Sequence, residues 1–195
     1  MIKTFAISDL HFGHKNILDY TGRQYATIDE MDNDFVSAWN SVVGDHDIVY
    51  VLGDFYLGRW KQAKEYFSKL RGRIDVLNNY WHHDKWWMQD LDVPAYAWNT
   101  VDTMTDQMVL CPPMAVIEKK VYGKYTSATI LCHYPIEVWD RKHYGSTHLF
   151  GYIHSKDGYI KGSMRLDVGV DNLMHMLDSP APIEIEVANE IIKAG

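Results

Sequence analysis

The segment from Asp47 to Phe55 constrains the fold most, because it has the pattern of one buried strand that ends on a carboxylate. Its run Ile-Val-Tyr-Val-Leu is rich in β-branched and aromatic residues, and Gly53 closes it directly before Asp54. Continuous apolar runs of this length are typical of inner strands of a parallel sheet. Open α/β sheets bind their ligands at the carboxyl ends of such strands. The segment therefore predicts an α/β fold with Asp54 at a ligand-binding edge.

Two strands and two helices are predicted around this segment. Residues 2–8 predict a first strand and residues 74–77 a third. Thr27-Ile28-Asp29-Glu30 has the form of a helix capping box, and apolar residues then recur at helical spacing up to Gly44. A second helical pattern covers residues 60–70. The order β, α, β, α, β predicts crossover units on a largely parallel sheet.

The second half of the chain predicts a second sheet, mixed or antiparallel, rather than a separate domain. Short apolar runs are separated there by Pro, Gly and polar residues, and Tyr122-Gly123-Lys124 predicts a hairpin turn. The predicted strands cover residues 107–110, 114–122, 125–132, 147–153, 164–170 and 183–187. No linker, repeat or low-complexity tract divides the sequence, so we expect one domain over residues 1–195.

Composition is typical of a folded protein of the cytoplasm. The hydrophobic fraction is 47%, and the net charge of -7 opposes a general affinity for nucleic acid or anionic membrane. Cys111 and Cys132 are too few for a disulfide framework, and we expect both to be buried thiols in a reducing compartment. No apolar leader or membrane-spanning run is present, so a cytoplasmic location without membrane insertion is predicted.

Residues able to bind a metal form short clusters, each beside its own apolar run. The clusters are Asp9 with His11, Asn79 with His82 and His83, His133, and His154. If the extended backbone continues past the first strand, Asp9 and His11 lie on one face and both reach one metal, while Leu10 faces the core. One carboxylate surrounded by His, Asn and Asp side chains is what a two-metal site requires, and Asp54 is the candidate bridge.

The other histidines and the aromatic segment leave alternatives open. His14 is either a contact for substrate phosphate or a surface residue, and we expect surface or packing roles for His46, His143, His148 and His175. Residues 80–87 read Tyr-Trp-His-His-Asp-Lys-Trp-Trp. Their aromatic side chains could pack on the core, stack on a nucleotide base or sugar, or contact a protein partner.

The ordered motifs resemble those of the calcineurin-like metallophosphoesterases, especially the small bacterial and phage members. The similarity lies in Ser8-Asp-Leu-His-Phe-Gly-His-Lys-Asn16, Val49-Tyr-Val-Leu-Gly-Asp-Phe55, Leu131-Cys-His-Tyr-Pro135, Gly151-x-x-His154 and Asp167-Val-Gly-Val-Asp171. It covers nearly the whole chain in order.

This resemblance implies a four-layer α/β/β/α sandwich of two mixed sheets flanked by helices, with a binuclear metal centre. Two divalent ions are implied, Mn²⁺ first and Fe, Ni²⁺ or Zn²⁺ as alternatives. The implied ligands are Asp9, His11 and His154 for the first ion, Asn79 and His133 for the second, and Asp54 for both. The implied reaction is hydrolysis of a phosphate ester by a metal-activated hydroxide, with a histidine as general acid.

Two departures from the family pattern fall on the second half of the site. Where the family has Gly-Asn-His-Asp or Gly-Asn-His-Glu, this chain has Asn78-Asn79-Tyr80-Trp81-His82-His83-Asp84. Tyr80 therefore stands at the position of the catalytic histidine, and either His82 or His83 replaces it or the general acid is missing. Tyr152 stands where the family has a histidine ligand. A neutral phenol binds metal poorly, so a weakened second site is expected, with water or a displaced His82 completing its ligands.

Three functions follow from these observations. The first is a metal-dependent hydrolase of a phosphodiester or nucleotide, with nucleotides and nucleic-acid-derived esters among its candidate substrates. The alternative is a degenerate relative that binds one metal or a nucleotide without efficient turnover, as Tyr80 and Tyr152 suggest. The third is a scaffold that binds a partner through the tryptophan-rich residues 81–87.

Overall fold

The structure is a computed structural model that describes residues 2–78, 82–91, 102–103, 107–154 and 163–195. Its strands are β1 (Thr4–Ile7), β2 (Ile48–Val51), β3 (Arg73–Leu77), β4 (Asp102–Thr103), β5 (Met108–Cys111), β6 (Met114–Val121), β7 (Lys124–Cys132), β8 (Thr147–Phe150), β9 (Arg165–Asp167) and β10 (Ile183–Glu184). Its α-helices are α1 (Ile17–Thr21), α2 (Ile28–Val42), α3 (Trp60–Phe67), α4 (Lys85–Asp90), α5 (Val170–Leu177) and α6 (Ile185–Ala194), and a 3₁₀ helix covers Lys142–Tyr144.

The fold is α/β with two mixed sheets, as the sequence predicts. The first sheet has the order β10-β1-β2-β3-β5-β4, in which β1, β2, β3 and β5 are parallel and the outer strands β10 and β4 are antiparallel. Helices α2 and α3 connect β1 to β2 and β2 to β3, which confirms the predicted crossover units. The four parallel strands therefore end at one edge of the sheet.

The second sheet has the order β6-β7-β8-β9 and combines an antiparallel hairpin with parallel strands. The predicted hairpin is confirmed, since Val121 pairs with Lys124 across Tyr122 and Gly123. These two turn residues have φ values of 49° and 74°, the left-handed conformation that a two-residue hairpin turn requires.

One hydrophobic cluster joins both sheets to the helices. Met31, Phe35 and Trp39 of α2 lie at helical spacing and are buried against the first sheet's side chains, while Leu131 and Leu149 bring in the second sheet. The predicted cap of α2 is also present, because the Thr27 hydroxyl accepts a hydrogen bond from the Glu30 backbone N–H. Cys111 and Cys132 are buried and unpaired with each other, as expected.

The predictions for the carboxyl-terminal quarter are wrong in part. Residues 164–170 do not form one strand, because β9 ends at Asp167 and α5 begins at Val170. Residues 183–187 form only the two-residue strand β10 before α6 begins at Ile185. The alternating sequence Ile-Glu-Ile-Glu-Val has the pattern of a strand, but Ile185, Ala188 and Ile192 bury one helical face instead. The strand predicted for residues 147–153 also ends early, at Phe150.

The two sheets meet where β1 and β9 end. The Ser8 N–H donates to the Val168 carbonyl and the Val170 N–H donates to the Ser8 carbonyl, each over 3.0 Å, as part of a parallel bridge between Ser8 and Gly169. The segment after β1 is thereby held against the segment after β9. None of the helices among the described residues has both the length and the apolar character needed to span a membrane.

Candidate metal centre

The candidate site is built from loops that follow β1, β2, β3, β7 and β8. Two of these loops run side by side, because the N–H groups of Asp9 and His11 donate to the carbonyl oxygens of Gly53 and Asp54 over 3.0 and 2.9 Å. Asp9, His11 and Asp54 are all buried. Three of the predicted ligands are therefore held together by backbone hydrogen bonds, independently of any cation.

The backbone is strained at this site. Of the nine described non-glycine residues at positive φ, five belong to it: Asp9, His11, Asp54, Tyr152 and His154, with φ between 46° and 75°. Left-handed backbone costs a non-glycine residue about 1–3 kcal/mol and clusters at functional sites. The predicted extended backbone at Asp9 and His11 is thus wrong. Their side chains nevertheless reach one cluster while Leu10 is buried, as expected.

Asp9, His11 and His154 form the first donor cluster. One ligand atom of each lies within 4.8 Å of the others, and the shortest distance between His154 Nε2 and the Asp9 carboxylate is 4.0 Å. His154 Nδ1 lies 2.7 Å from Asp171 Oδ2. A histidine that donates its other ring N–H to a carboxylate is typical of a metal ligand, because the tautomer leaves the free nitrogen toward the ion.

Arg23 holds the Asp171 carboxylate in place. Its Nε and one terminal nitrogen donate to the two carboxylate oxygens over 2.8 and 2.9 Å, and the guanidinium also donates to the carbonyls of Asp9 and Leu10. Burial alone would raise the pKa of Asp171, but the hydrogen bonds from Arg23 and His154 outweigh it and hold the pKa below its usual range. Asp171 is therefore ionised where it orients His154.

Asp54, His82 and His133 form the second donor cluster. Their ligand atoms also lie within 4.8 Å of one another, with 3.6 Å between His82 Nδ1 and Asp54 Oδ1. His133 Nδ1 lies 3.1 Å from the Ser8 hydroxyl, which leaves Nε2 directed at Asp54. His82 thus joins the second cluster as a ligand candidate. Asn79, the predicted ligand, and Tyr80 lie outside the described residues.

The Asp54 carboxylate lies between the two clusters. Its Oδ2 atom is 3.7 Å from His11 Nε2 and 3.6 Å from His133 Nε2. Both distances exceed those of hydrogen bonds. Both nitrogens are buried, and among the described residues neither has a hydrogen-bond partner. Buried polar atoms without partners are rare, and two cations, one beside each nitrogen and both next to the carboxylate, would satisfy them. The residues present therefore fit a binuclear metal site.

The electrostatics of this arrangement suit cation binding. Burial would raise the pKa of Asp54, but the neighbouring His133 outweighs this effect and keeps the pKa low. Burial lowers the pKa of His11 well below its usual value and also lowers that of His82. Burial would also lower the pKa values of His133 and His154, but the neighbouring carboxylates of Asp54, Asp9 and Asp171 outweigh it and raise both values. Because histidine binds metal as the neutral imidazole, a cation bound at these two residues would displace a proton.

A third donor cluster consists of His11, His14 and His83 and shares His11 with the first. His14 and His83 each place a ring nitrogen within 4.8 Å of a ring nitrogen of His11, and the Nδ1 atoms of His14 and His11 are 3.3 Å apart. His14 is buried rather than a surface residue. His82 and His83, the two alternatives for the catalytic histidine, are thus separated, with His82 at the second cluster and His83 near the first.

Asp84 anchors the segment that carries His82 and His83. Its buried carboxylate accepts hydrogen bonds from the backbone N–H groups of Phe55 and Tyr56 and from the Trp87 indole, over 3.0, 3.1 and 2.8 Å. The His83 N–H also donates to the Asp54 carboxylate over 3.3 Å. Trp87 packs in the core, which confirms the packing alternative for this one residue of the aromatic segment. The segment is therefore fixed relative to Asp54.

Tyr152 lies beside the second cluster, at the predicted altered ligand position. Its backbone N–H donates to the Asp9 carboxylate over 2.9 Å. Its ring is half exposed, and its centroid is 5.2 Å from that of His82 and 5.6 Å from that of His133.

Sequence reasoning missed the supporting roles of four residues, Ser8, Arg23, Asp84 and Asp171. Ser8, Asp84 and Asp171 do fall within the quoted motifs, whereas nothing in the sequence pattern marks Arg23. Of the histidines expected to lie on the surface or in packing, His148 is buried and hydrogen-bonded to the backbone at Ile130, Tyr134 and Ile136.

Comparisons with known proteins show sequence relatives and a shared fold. No family model matches the chain. It is 41% identical over 87 residues to an uncharacterized protein of Methanocaldococcus jannaschii, a match that covers 44% of this chain and 48% of that protein. It is 42% identical over 62 residues to the gene 66 protein of Mycobacterium phage L5, covering 31% of this chain and 29% of the relative. These matches therefore span half or less of either relative's length.

Two further matches cover most of the chain. The gene 66 protein of Mycobacterium phage D29 is 26% identical over 192 aligned residues, covering 88% of this chain and 89% of that protein. The crystal structure of a protein of unknown function from Aquifex aeolicus, AQ665, has a TM-score of 0.61 and 18% identity, and covers 98% of this chain and all of that one. At this identity the likeness concerns the fold alone, and it supports an α/β arrangement of two mixed sheets with helices.

Proposed function

We propose that this protein is a metal-dependent phosphoesterase that hydrolyses a phosphodiester or nucleotide. The observation that carries the proposal is the Asp54 carboxylate between two buried imidazole nitrogens that have no partner among the described residues. The proposal includes membership of the calcineurin-like metallophosphoesterases and their four-layer α/β/β/α sandwich. The two mixed sheets and the order of the site residues along the chain support it.

Six side chains would hold two divalent cations, with Mn²⁺ as the first choice and Fe, Ni²⁺ or Zn²⁺ as alternatives. Asp9, His11 and His154 serve the first site, His82 and His133 the second, and Asp54 both. Mixed carboxylate and imidazole donors suit borderline divalent metals. When bound, such a pair supplies a nucleophile from water near neutral pH and neutralises charge on the phosphoryl group.

His83 is the proposed general acid. His82 has both Asp54 and His133 as neighbours in the second cluster and is better placed to bind a cation. His83 lies on the other side, near His11 and His14, with its backbone fixed by Asp54 and by the neighbouring Asp84. A positioned histidine that protonates a leaving alkoxide contributes about 10²- to 10⁴-fold to the rate. His14, directly beside His83, is the proposed contact for substrate phosphate.

An anionic substrate can approach the site beside His82 and His83. A cleft of about 220 Å³ is lined by His82, His83, Lys85 and Trp86. The Lys85 ammonium lies over the Trp86 ring, 4.6 Å from its centroid. In a chain of net charge -7, a lysine at this edge and two bound cations would make the site locally attractive to a phosphate ester.

The second candidate is a degenerate relative that binds one metal or a nucleotide without efficient turnover. It is favoured by Tyr152, whose ring lies against His82 and His133 where a further ligand is expected. Metal stoichiometry separates the two candidates, since the enzyme requires both clusters to be filled.

The test is hydrolysis of bis-p-nitrophenyl phosphate by the full chain with added Mn²⁺. We expect turnover that disappears on chelation and in Asp54→Asn, and that persists in His143→Asn, a change at an exposed histidine of the 3₁₀ helix. Unchanged turnover in Asp54→Asn would refute the role of this carboxylate. A folded, metal-loaded protein without turnover would favour the degenerate relative.

A further inference from the structure

Two half-exposed tyrosines stand at the edge of the second donor cluster. The ring centroids of Tyr134 and Tyr152 are 5.2 Å apart, and each lies 5.2 Å from the centroid of His82. The exposed fractions of Tyr134 and Tyr152 are 40% and 46%. We call these two residues the tyrosine pair. Their rings contact a ligand candidate on one side and open to solvent on the other.

The backbone that carries both rings is held by contacts within the site. Tyr152 has a left-handed backbone with φ of 75°, and its N–H is bonded to the Asp9 carboxylate. Tyr134 directly follows His133, and its carbonyl lies 3.1 Å from Nε2 of the buried His148. The backbone beneath each ring is thus held in place before any ligand arrives, which reduces the entropy lost on binding.

We propose that the tyrosine pair is a binding subsite for an aromatic group carried by the substrate, so that the substrate is an aryl or nucleoside phosphodiester. The proposal rests on the proposed function, because it needs a phosphoryl group at Asp54 and His82. Nucleobases of any identity stack on exposed aromatic side chains, and here two such side chains lie beside the proposed phosphate site.

Charge selects a small substrate within this class. The net charge of -7 opposes a long polyanion, which would place many phosphates along the surface at once. A single nucleoside or aryl diester brings one phosphate to the cations and one ring to the tyrosine pair. The net charge together with the tyrosine pair therefore favours a diester of mononucleotide size over a polymer.

The experiment compares phenylphosphonate with cyclohexylphosphonate, which cannot be hydrolysed and differ mainly in the aromaticity of the ring. Their affinities for the Mn²⁺-loaded full chain are measured by titration calorimetry. We expect phenylphosphonate to bind roughly 2- to 12-fold more tightly, the range of a single aromatic contact. This preference should be lost in Tyr134→Leu and retained in Tyr134→Phe. It should also be retained in Tyr144→Leu, a change at an exposed tyrosine whose ring packs on His143.

The outcomes separate this subsite from the function on which it depends. Equal affinities of the two phosphonates in a protein that binds both would overturn the subsite and leave the phosphate site intact. A preference that persists in Tyr134→Leu and Tyr152→Leu would also overturn it. No binding of either compound to the metal-loaded protein would refute the phosphate site and the subsite together. Metal content measured on each variant excludes loss of the ions as the cause.

Discussion

Gly151 lies against the first donor cluster, and replacing it with alanine tests whether the geometry of Asp9 controls metal binding. The new Cβ atom would lie well within 3.0 Å of Ser8 Oγ and Asp9 Oδ2. The backbone of Gly151 is outside the left-handed region, so alanine adds steric overlap without conformational strain of its own. Since Ser8 and Asp9 are both buried, neither can move into solvent.

The expected effects follow from the overlap. Ordinary contact begins at 3.4 Å, so the Asp9 carboxylate must retreat by about 1 Å. This exceeds the tolerance of about 0.2 Å for a metal ligand. We expect the affinity of the first cluster for Mn²⁺ to fall by about 10- to 100-fold. Overpacking should also lower the free energy of unfolding by about 1–3 kcal/mol, which corresponds to about 2–12 °C in Tm at this chain length.

The assay measures Mn²⁺ affinity by titration calorimetry and stability by urea unfolding of the cation-free protein. Gly72→Ala is the control for destabilisation alone, and because Gly72 has a φ of 82°, alanine there adds backbone strain as well as overlap. It overlaps the Asp47 carbonyl at 2.8 Å and Val43 Cγ1 at 2.9 Å, and it lies at the amino end of β3, the opposite end of the sheet. We expect Gly72→Ala to lower stability while leaving metal affinity unchanged. The reasoning is refuted if Gly151→Ala binds Mn²⁺ as tightly as the natural chain, or if both variants lose affinity equally.

Three further substitutions test other parts of the site. Arg23→Met leaves the Asp171 carboxylate buried without its guanidinium partner. We expect the free energy of unfolding, measured in urea, to fall by about 3–5 kcal/mol. A loss under about 1 kcal/mol would contradict this pairing. Tyr152→His adds an imidazole beside the second cluster, at a left-handed backbone position that histidine tolerates. The affinity for the second cation should therefore rise. If calorimetry shows no gain, Tyr152 does not stand at the position of a missing ligand. His83→Gln should lower kcat by about 10²- to 10⁴-fold for a diester with an alkoxide leaving group, and less for p-nitrophenolate, which leaves without a proton. Equal losses for both leaving groups, or loss of bound metal, would refute its role as general acid.

The parts of the fold that could be predicted depend on local pattern. The run ending at Gly53 predicts an inner strand because a buried parallel strand has no polar face. Residues 183–187 show the limit of this approach, since an alternating apolar pattern fits a strand over five residues. Only the longer period set by Ile185, Ala188 and Ile192 separates the helix from the strand.

The candidate site could be predicted where its residues follow strands directly. Asp9, His11 and Asp54 follow neighbouring parallel strands of the first sheet, and His133 and His154 follow neighbouring parallel strands of the second. The bridge between Ser8 and Gly169 shows that the two sheets meet at these strand ends, which the sequence does not predict. The left-handed backbone conformations at the site could not be predicted, since nothing in the sequence marks positive φ at an aspartate or histidine.

The position of His82 depends on long-range contacts. Sequence spacing suggests Asn79 as a ligand after β3, with a displaced His82 as one way to complete the second site, and the structure places His82 at Asp54 and His133. The reason is the hydrogen bonding of Asp84, which ties its own segment to the backbone at Phe55 and so fixes its register. Such a contact joins residues 29 positions apart and leaves no local pattern.

The central claim is that Asp54 serves two cations at once, and its most direct test is the number of Mn²⁺ ions bound per chain. Equilibrium dialysis followed by metal analysis should give two ions for the natural chain. In Asp54→Asn, with folding verified by circular dichroism, both sites should weaken together because they share this carboxylate. A single ion in the natural chain, or two ions bound with unchanged affinity by Asp54→Asn, would contradict the account.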